Sequence, residues 1–115
     1  MRHEIKKICR IVDELTTMFL KDDTDEVDFK IITSPEKAII RIVDYHTNYS
    51  DQMIDQLRTT LNNQRQSEIE EYYWQLAGEN DDDDEELTLI SAMIDTATVE
   101  KREGNLYIEL VRMNR

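Results

Sequence analysis

Val27-Asp28-Phe29-Lys30-Ile31-Ile32-Thr33-Ser34-Pro35-Glu36-Lys37-Ala38-Ile39-Ile40-Arg41-Ile42-Val43 decides the fold class. Val27, Phe29 and Ile31 alternate with Asp28 and Lys30, the period of a strand with one wet face. Ser34-Pro35-Glu36-Lys37 is a turn, because the Pro35 ring presets φ. The stretch from Ala38 to Val43 is rich in β-branched residues, which suit a second strand. Two strands joined by so short a turn pair most simply as an antiparallel hairpin.

Upstream, Ile5, Ile8, Val12, Leu15 and Phe19 recur at spacings of three and four, which predicts an amphipathic helix. Lys21-Asp22-Asp23-Thr24-Asp25 breaks that pattern. Cys9 falls on the same apolar pattern and is expected to be a buried small hydrophobe. It is the only cysteine, so no internal disulfide can form. Downstream, Asn48 or Ser50 can cap a helix whose stripe is Met53, Ile54, Leu57 and Leu61. Ser67 with Glu70 has capping-box spacing and opens a helix with Ile69, Tyr72, Tyr73 and Leu76, which Gly78 stops. The polar and acidic run from Asn80 to Glu86 reads as a loop. Leu87, Ile90, Met93 and Ile94 make a short helix, and 96–101 a strand. Arg102-Glu103-Gly104-Asn105 is a hairpin turn. Leu106, Ile108 and Leu110 alternate with Tyr107, Glu109 and Val111 as the last strand.

The element order is α-β-β-α-α-α-β-β in one domain spanning 1–115. The expected architecture is an α+β two-layer sandwich: a mixed or antiparallel sheet of four or five strands, with helices packed on one face.

Bulk composition narrows the function classes. The chain has 115 residues, 39% apolar and 35% charged, with a formal net charge of −12. A field of that sign disfavours nucleic acid and anionic membrane and favours solubility or a basic protein partner. No apolar run approaches the ~18 residues of a membrane span. Met1 to Arg10 lacks a signal peptide's apolar stretch, so the cytoplasm is the default compartment. Only two glycines are present, Gly78 and Gly104. Phosphate-cradling loops need more, because a missing Cβ lets backbone N–H groups reach the ligand.

The order of elements, with several local strings, resembles the ATP-binding domain of histidine kinases and anti-sigma-factor kinases, in the superfamily of the gyrase B and Hsp90 ATPases. Asp44-Tyr45-His46-Thr47-Asn48 stands where that family has Asp-x-Gly-x-Gly. Asp44 matches the aspartate that would bind the adenine amino group, while His46 and Asn48 replace both glycines. Glu86-Leu87-Thr88-Leu89 stands at the Gly-Leu-Gly-Leu motif, with Thr88 in place of the central glycine. In Glu14-Leu15-Thr16-Thr17-Met18-Phe19, Met18 takes the place of the Mg²⁺-binding asparagine. The resemblance implies an eroded nucleotide site in which backbone donors and the metal ligand are gone. It points to a non-catalytic regulatory or protein-interaction module, as in bacterial signalling or transcription control, with no cofactor. The alternatives are an ATP- and Mg²⁺-binding anti-sigma-type kinase with a rewritten pocket centred on Asp44, or an unrelated acidic α+β subunit or inhibitor.

Contact residues are expected at Trp74 and at Asp81, Asp82, Asp83, Asp84, Glu85 and Glu86. An exposed Trp can anchor an interface or simply cover an apolar ridge. The acidic run lacks the spacing and turn glycine of a calcium loop, so it reads as a solvated surface that would steer a basic partner. His3, His46 and Cys9 do not make a metal set. His46 beside Asp44 is read as turn chemistry, since no nucleophile motif accompanies the pair. A homodimer is left open.

Overall fold

The first helix, α1 (Glu4–Lys21), buries Ile8, Ile11, Leu15, Met18 and Phe19. The computed structural model describes residues 3–73 and 83–114, without the side chains at 72, 73 and 83–86. Beyond α1 the chain forms β1 (Glu26–Thr33), β2 (Lys37–Tyr45), α2 (Asp51–Leu61), α3 (Ser67–Tyr73), α4 (Asp83–Ser91), β3 (Thr96–Arg102) and β4 (Asn105–Met113). This is the expected order.

The four strands make one antiparallel sheet in the order β1-β2-β4-β3. Both hairpins therefore share a sheet. β2 and β3 run the same way with β4 inserted between them, and α2, α3 and α4 form the long connection that such a crossover requires. Buried residues alternate along β2 (Ala38, Ile40, Ile42, Asp44), β4 (Leu106, Ile108, Leu110, Arg112) and β3 (Ala97, Val99). All of them turn to the helix side, so the core lies between sheet and helices. Each large aliphatic side chain withdrawn from water there contributes about 1.5–3 kcal/mol.

Local chemistry accounts for the junctions. Ser50 caps α2, its hydroxyl accepting from the Met53 N–H at 3.2 Å. The β3–β4 turn has Glu103 at φ 53° and Gly104 at φ 81°. Positive φ at both central residues is the primed turn that matches strand twist.

Several expectations need correction. Ile5 is 78% exposed and Cys9 is exposed, so neither belongs to the buried stripe. At 100° per residue both lie on a flank of α1, while Ile11 and Met18 take the inward positions. Met53 is likewise exposed on α2. The acidic run is not all loop, because 83–86 form the first turn of α4. Acidic residues suit that position, where the helix dipole is positive. α4 ends at Ser91, and Met93 and Ile94 are buried in the connection to β3. The readings for Trp74, Leu76, Gly78, Asp81 and Asp82 lie outside the described residues. So do those for the side chains of Tyr72, Tyr73, Asp83, Asp84, Glu85 and Glu86. No described helix is long and apolar enough to cross a membrane.

Candidate functional site

Two ends of the sheet carry opposite chemistry. At one end the α1–β1 turn meets the β2–α2 connection. The Asn48 side-chain amide donates to the Asp23 carbonyl at 3.1 Å, and the Tyr49 hydroxyl donates to Asp22 Oδ2 at 2.6 Å. Tyr49 also stacks on Phe19, with ring centroids 5.9 Å apart. The two connections are thereby fixed side by side. Around them Asp23, Asp25, Glu26, Asp28 and Asp51 stand exposed. Lys101 lies 3.7 Å from Asp51.

Beneath this acidic rim Asp44 is 1% exposed. It is the last inward residue of β2, between Val27 of β1 and Leu106 of β4. Among the described residues, neither carboxylate oxygen has a hydrogen-bond partner in bonding geometry. Burial pushes its pKa up. The hydroxyls of Thr47 and Thr24 pull it back in part, and Asp22 adds to the rise. His46 follows in a left-handed conformation, φ 51°, with its backbone N–H donating to Asn105 Oδ1 at 2.9 Å. The His46 side chain is exposed, which fits turn chemistry.

A hollow of about 230 Å³ opens between α1, α2 and α4, lined by Met18, Asp22, Tyr49, Leu57 and Leu87 among others. Met18 and Leu87 are two of the positions singled out by the family resemblance. The lining offers thioether, aliphatic and carboxylate groups, and none of the five named side chains is a cation.

The opposite end holds a feature that the sequence reading missed. Arg112, only 3% exposed, donates through Nε and Nη2 to Glu4 at 2.7 and 2.9 Å. It also donates through Nη1 and Nη2 to Glu70 at 2.8 and 2.9 Å, and through Nη1 to the Met93 carbonyl at 2.6 Å. Every N–H of the fork is used. Lys7 Nζ bonds Glu70 at 2.7 Å and also reaches Glu71. Arg65 joins Glu70 at 3.2 Å and Asp95 at 2.8 Å. Burial pushes the Glu70 pKa up, but Arg112 and Lys7 outweigh it and hold the group at about 2. Hydrogen bonding to Arg112 lowers Glu4 as well. With its oxygens spent on these cations, Glu70 does not close the capping box read from Ser67. The signal was in the sequence: Arg112 continues the inward phase of Leu106, Ile108 and Leu110. A saturated ion cluster of this kind fixes geometry and leaves no free group for chemistry.

Among the described residues, no group of three or more His, Cys, Asp or Glu is placed to hold a metal ion. The chain matches no family model, no curated protein and no solved structure.

Proposed function

We propose that the chain is a non-catalytic regulatory module that works by binding a basic protein surface. The observation that carries this reading is the acidic rim. Asp23, Asp25, Glu26, Asp28 and Asp51 stand exposed around two connections that hydrogen bonds hold together. On a body of net charge −12 such a rim concentrates the field and accelerates encounter with a cationic partner. Trp74 and the acidic residues 81–86 belong to the same proposal as further contacts. The cytoplasm and a bacterial signalling role remain sequence-level proposals.

The test is capture from source-cell lysate with the intact chain and with Asp23→Asn/Asp25→Asn/Asp51→Asn. Capture of a basic protein should fall at least about tenfold in the neutralised variant and in high salt. Equal capture by both forms would remove the reading.

A second reading, nucleotide binding at a rewritten site, is favoured by one observation. Among the described residues no group stands in hydrogen-bonding geometry to the buried Asp44 carboxylate, and the left-handed His46 stands where the resembling family has glycine. Against it, a hollow with Asp22 in its wall repels a polyphosphate. Calorimetry with ATP and Mg²⁺ separates the readings. Submicromolar binding abolished by Asp44→Asn would favour the nucleotide.

A further inference from the structure

The two edges of the sheet are treated differently. On β3 both outward backbone groups of Ala97 and the outward carbonyl of Val99 are already bonded. Arg58 donates through Nε and Nη2 to the Val99 carbonyl at 3.1 and 2.7 Å. Asn62 donates to the Ala97 carbonyl at 2.9 Å and accepts from the Ala97 N–H at 3.1 Å. The Asn62 amide thus imitates one step of a neighbouring strand. An edge covered along Ala97 and Val99 is a poorer template for another chain.

Among the described residues the β1 edge has no such cover. The Ser34 N–H donates to the Lys37 carbonyl at 2.9 Å, which makes these two the closing hydrogen-bonded pair of the hairpin. Counting back by twos along the register, residues 32, 30, 28 and 26 bond β2. Val27, Phe29, Ile31 and Thr33 then turn their N–H and C=O groups outward. No hydrogen bond from the described residues reaches those groups. Ile31 is 47% exposed on that edge. The adjoining flank of α1 is apolar too. Ile5, Cys9, Val12 and Leu20 fall on one stripe at helical spacing. Ile5 shares a hollow with Thr33 at the end of β1, and Val12 packs against the core, as do Val27 and Phe29. Ile5 and Leu20 on this flank are 78% and 59% exposed.

We propose that a second copy of this chain occupies the edge, with β1 pairing antiparallel to β1 about a two-fold axis through Phe29. The charges select that register. A two-fold axis normal to the sheet sets opposed residues on the same face. Centred on Phe29, each Asp28 faces Lys30 of the second copy, Val27 faces Ile31, and Phe29 meets itself. Centred one residue earlier, Asp28 meets Asp28; centred one residue later, Lys30 meets Lys30. Centred on Val27, Glu26 meets Asp28; centred on Ile31, Lys30 faces Ile32 and meets no anion. Lys30 alone would be a common guard against edge pairing. In the Phe29 register Asp28 answers it, on the oxygen not engaged by the Tyr45 hydroxyl at 2.8 Å. The outward groups of Val27, Phe29 and Ile31 then complete a hydrogen-bonded ladder, and the apolar flanks of the two α1 helices line the same side. The result is a continuous sheet across both copies, partly covered at each far edge by Arg58 and Asn62. This inference shares Asp28 with the acidic rim, but the rim variant at 23, 25 and 51 leaves Asp28 in place, so failure of one leaves the other standing.

Sedimentation equilibrium of the purified full chain over a wide concentration range tests it. The expected result is a dimer for the natural chain, with dimerisation weakened at least about tenfold in Asp28→Lys and in Lys30→Asp. An equimolar mixture of those two variants should form a heterodimer, because every facing pair is again of opposite sign. Ile31→Pro removes only an outward N–H, so its circular dichroism should persist while the dimer is lost. A chain that stays monomeric throughout, reversals that leave the dimer intact, or a mixture that fails to pair would each overturn the proposal.

Discussion

Asp44 sets the most testable residue-level behaviour. A carboxylate that is 1% exposed, with neither oxygen hydrogen-bonded by the described residues, is a charge held against its solvation cost. Burial raises its pKa in the folded chain, so the folded state binds this proton more tightly than the unfolded state does. Below the unfolded value of about 3.9 the group is neutral in both states and has no net effect. As pH rises from there through the folded value, ionisation takes stability away. Asp44→Asn is therefore expected to stabilise the chain at pH 7 by about 1–3 kcal/mol, with the gain disappearing near pH 3. Urea unfolding at the two pH values measures it. Equal stability of the two forms at pH 7 would mean that the carboxylate is satisfied in solution, for instance by the nearby Thr24 and Thr47 hydroxyls. That a lone aspartate ends an apolar strand was visible in the sequence, but its lack of a bond was not, because partners come from distant loops.

At the level of elements, the ion cluster explains how a short helix is held. α3 has seven residues, too few to persist by propensity alone. Glu70 anchors it to Lys7 of α1, Arg112 of β4 and the preceding Arg65. Glu70→Gln removes the carboxylate that Lys7, Arg65 and Arg112 share, leaving each with one other carboxylate, and is expected to cost about 3–5 kcal/mol at pH 7. The sign follows from a carboxyl whose folded pKa, about 2, lies below its unfolded one. Its stabilisation is complete above the unfolded value and is lost as pH falls toward 2. The deficit of the variant should shrink over that same window and be mostly gone as pH falls through the folded value of about 2. Urea titrations of both proteins at pH 7, 4 and 2.5 give the comparison, and a deficit independent of pH would show that Glu70 acts by packing. Elements were legible where pattern and burial coincide: the alternation in β2 and β4 and the Pro35 turn needed no tertiary information. The apolar stripe of α1 is broader than its buried one: Ile8, Leu15 and Phe19 are buried and Val12 packs on the core, while Ile5 and Cys9 fall outside it. The cluster was hidden because a charged residue in an inward position reads as the end of a strand until its partners are known. Those partners lie up to 108 residues away.

For the whole molecule, net charge and self-association pull in opposite directions. Each copy carries a formal charge of −12, and a compact body whose radius of gyration is 13.4 Å has a radius about 1.3 times larger, so two touching copies have centres roughly 35 Å apart. Treated as point charges in water, they repel by about 20 kcal/mol before screening. With the ~30 Å Debye length of 0.01 M salt several kcal/mol survive, and with the ~8 Å length of 0.15 M less than about 1 kcal/mol does. The facing Asp28 and Lys30 side chains are exposed, and such pairs contribute only about 0.2–1 kcal/mol each. Repulsion therefore dominates at low ionic strength, and the apolar and backbone terms decide the outcome near physiological salt. Dimerisation is expected to tighten by more than about tenfold between 0.01 and 0.15 M salt and then to level off. A basic partner on the acidic rim would respond in the opposite sense, weakening over the same range. Sedimentation of the chain alone across that series tells the two surfaces apart. A dimer that loosens steadily with salt would place the association on charge pairs and away from the backbone ladder at β1.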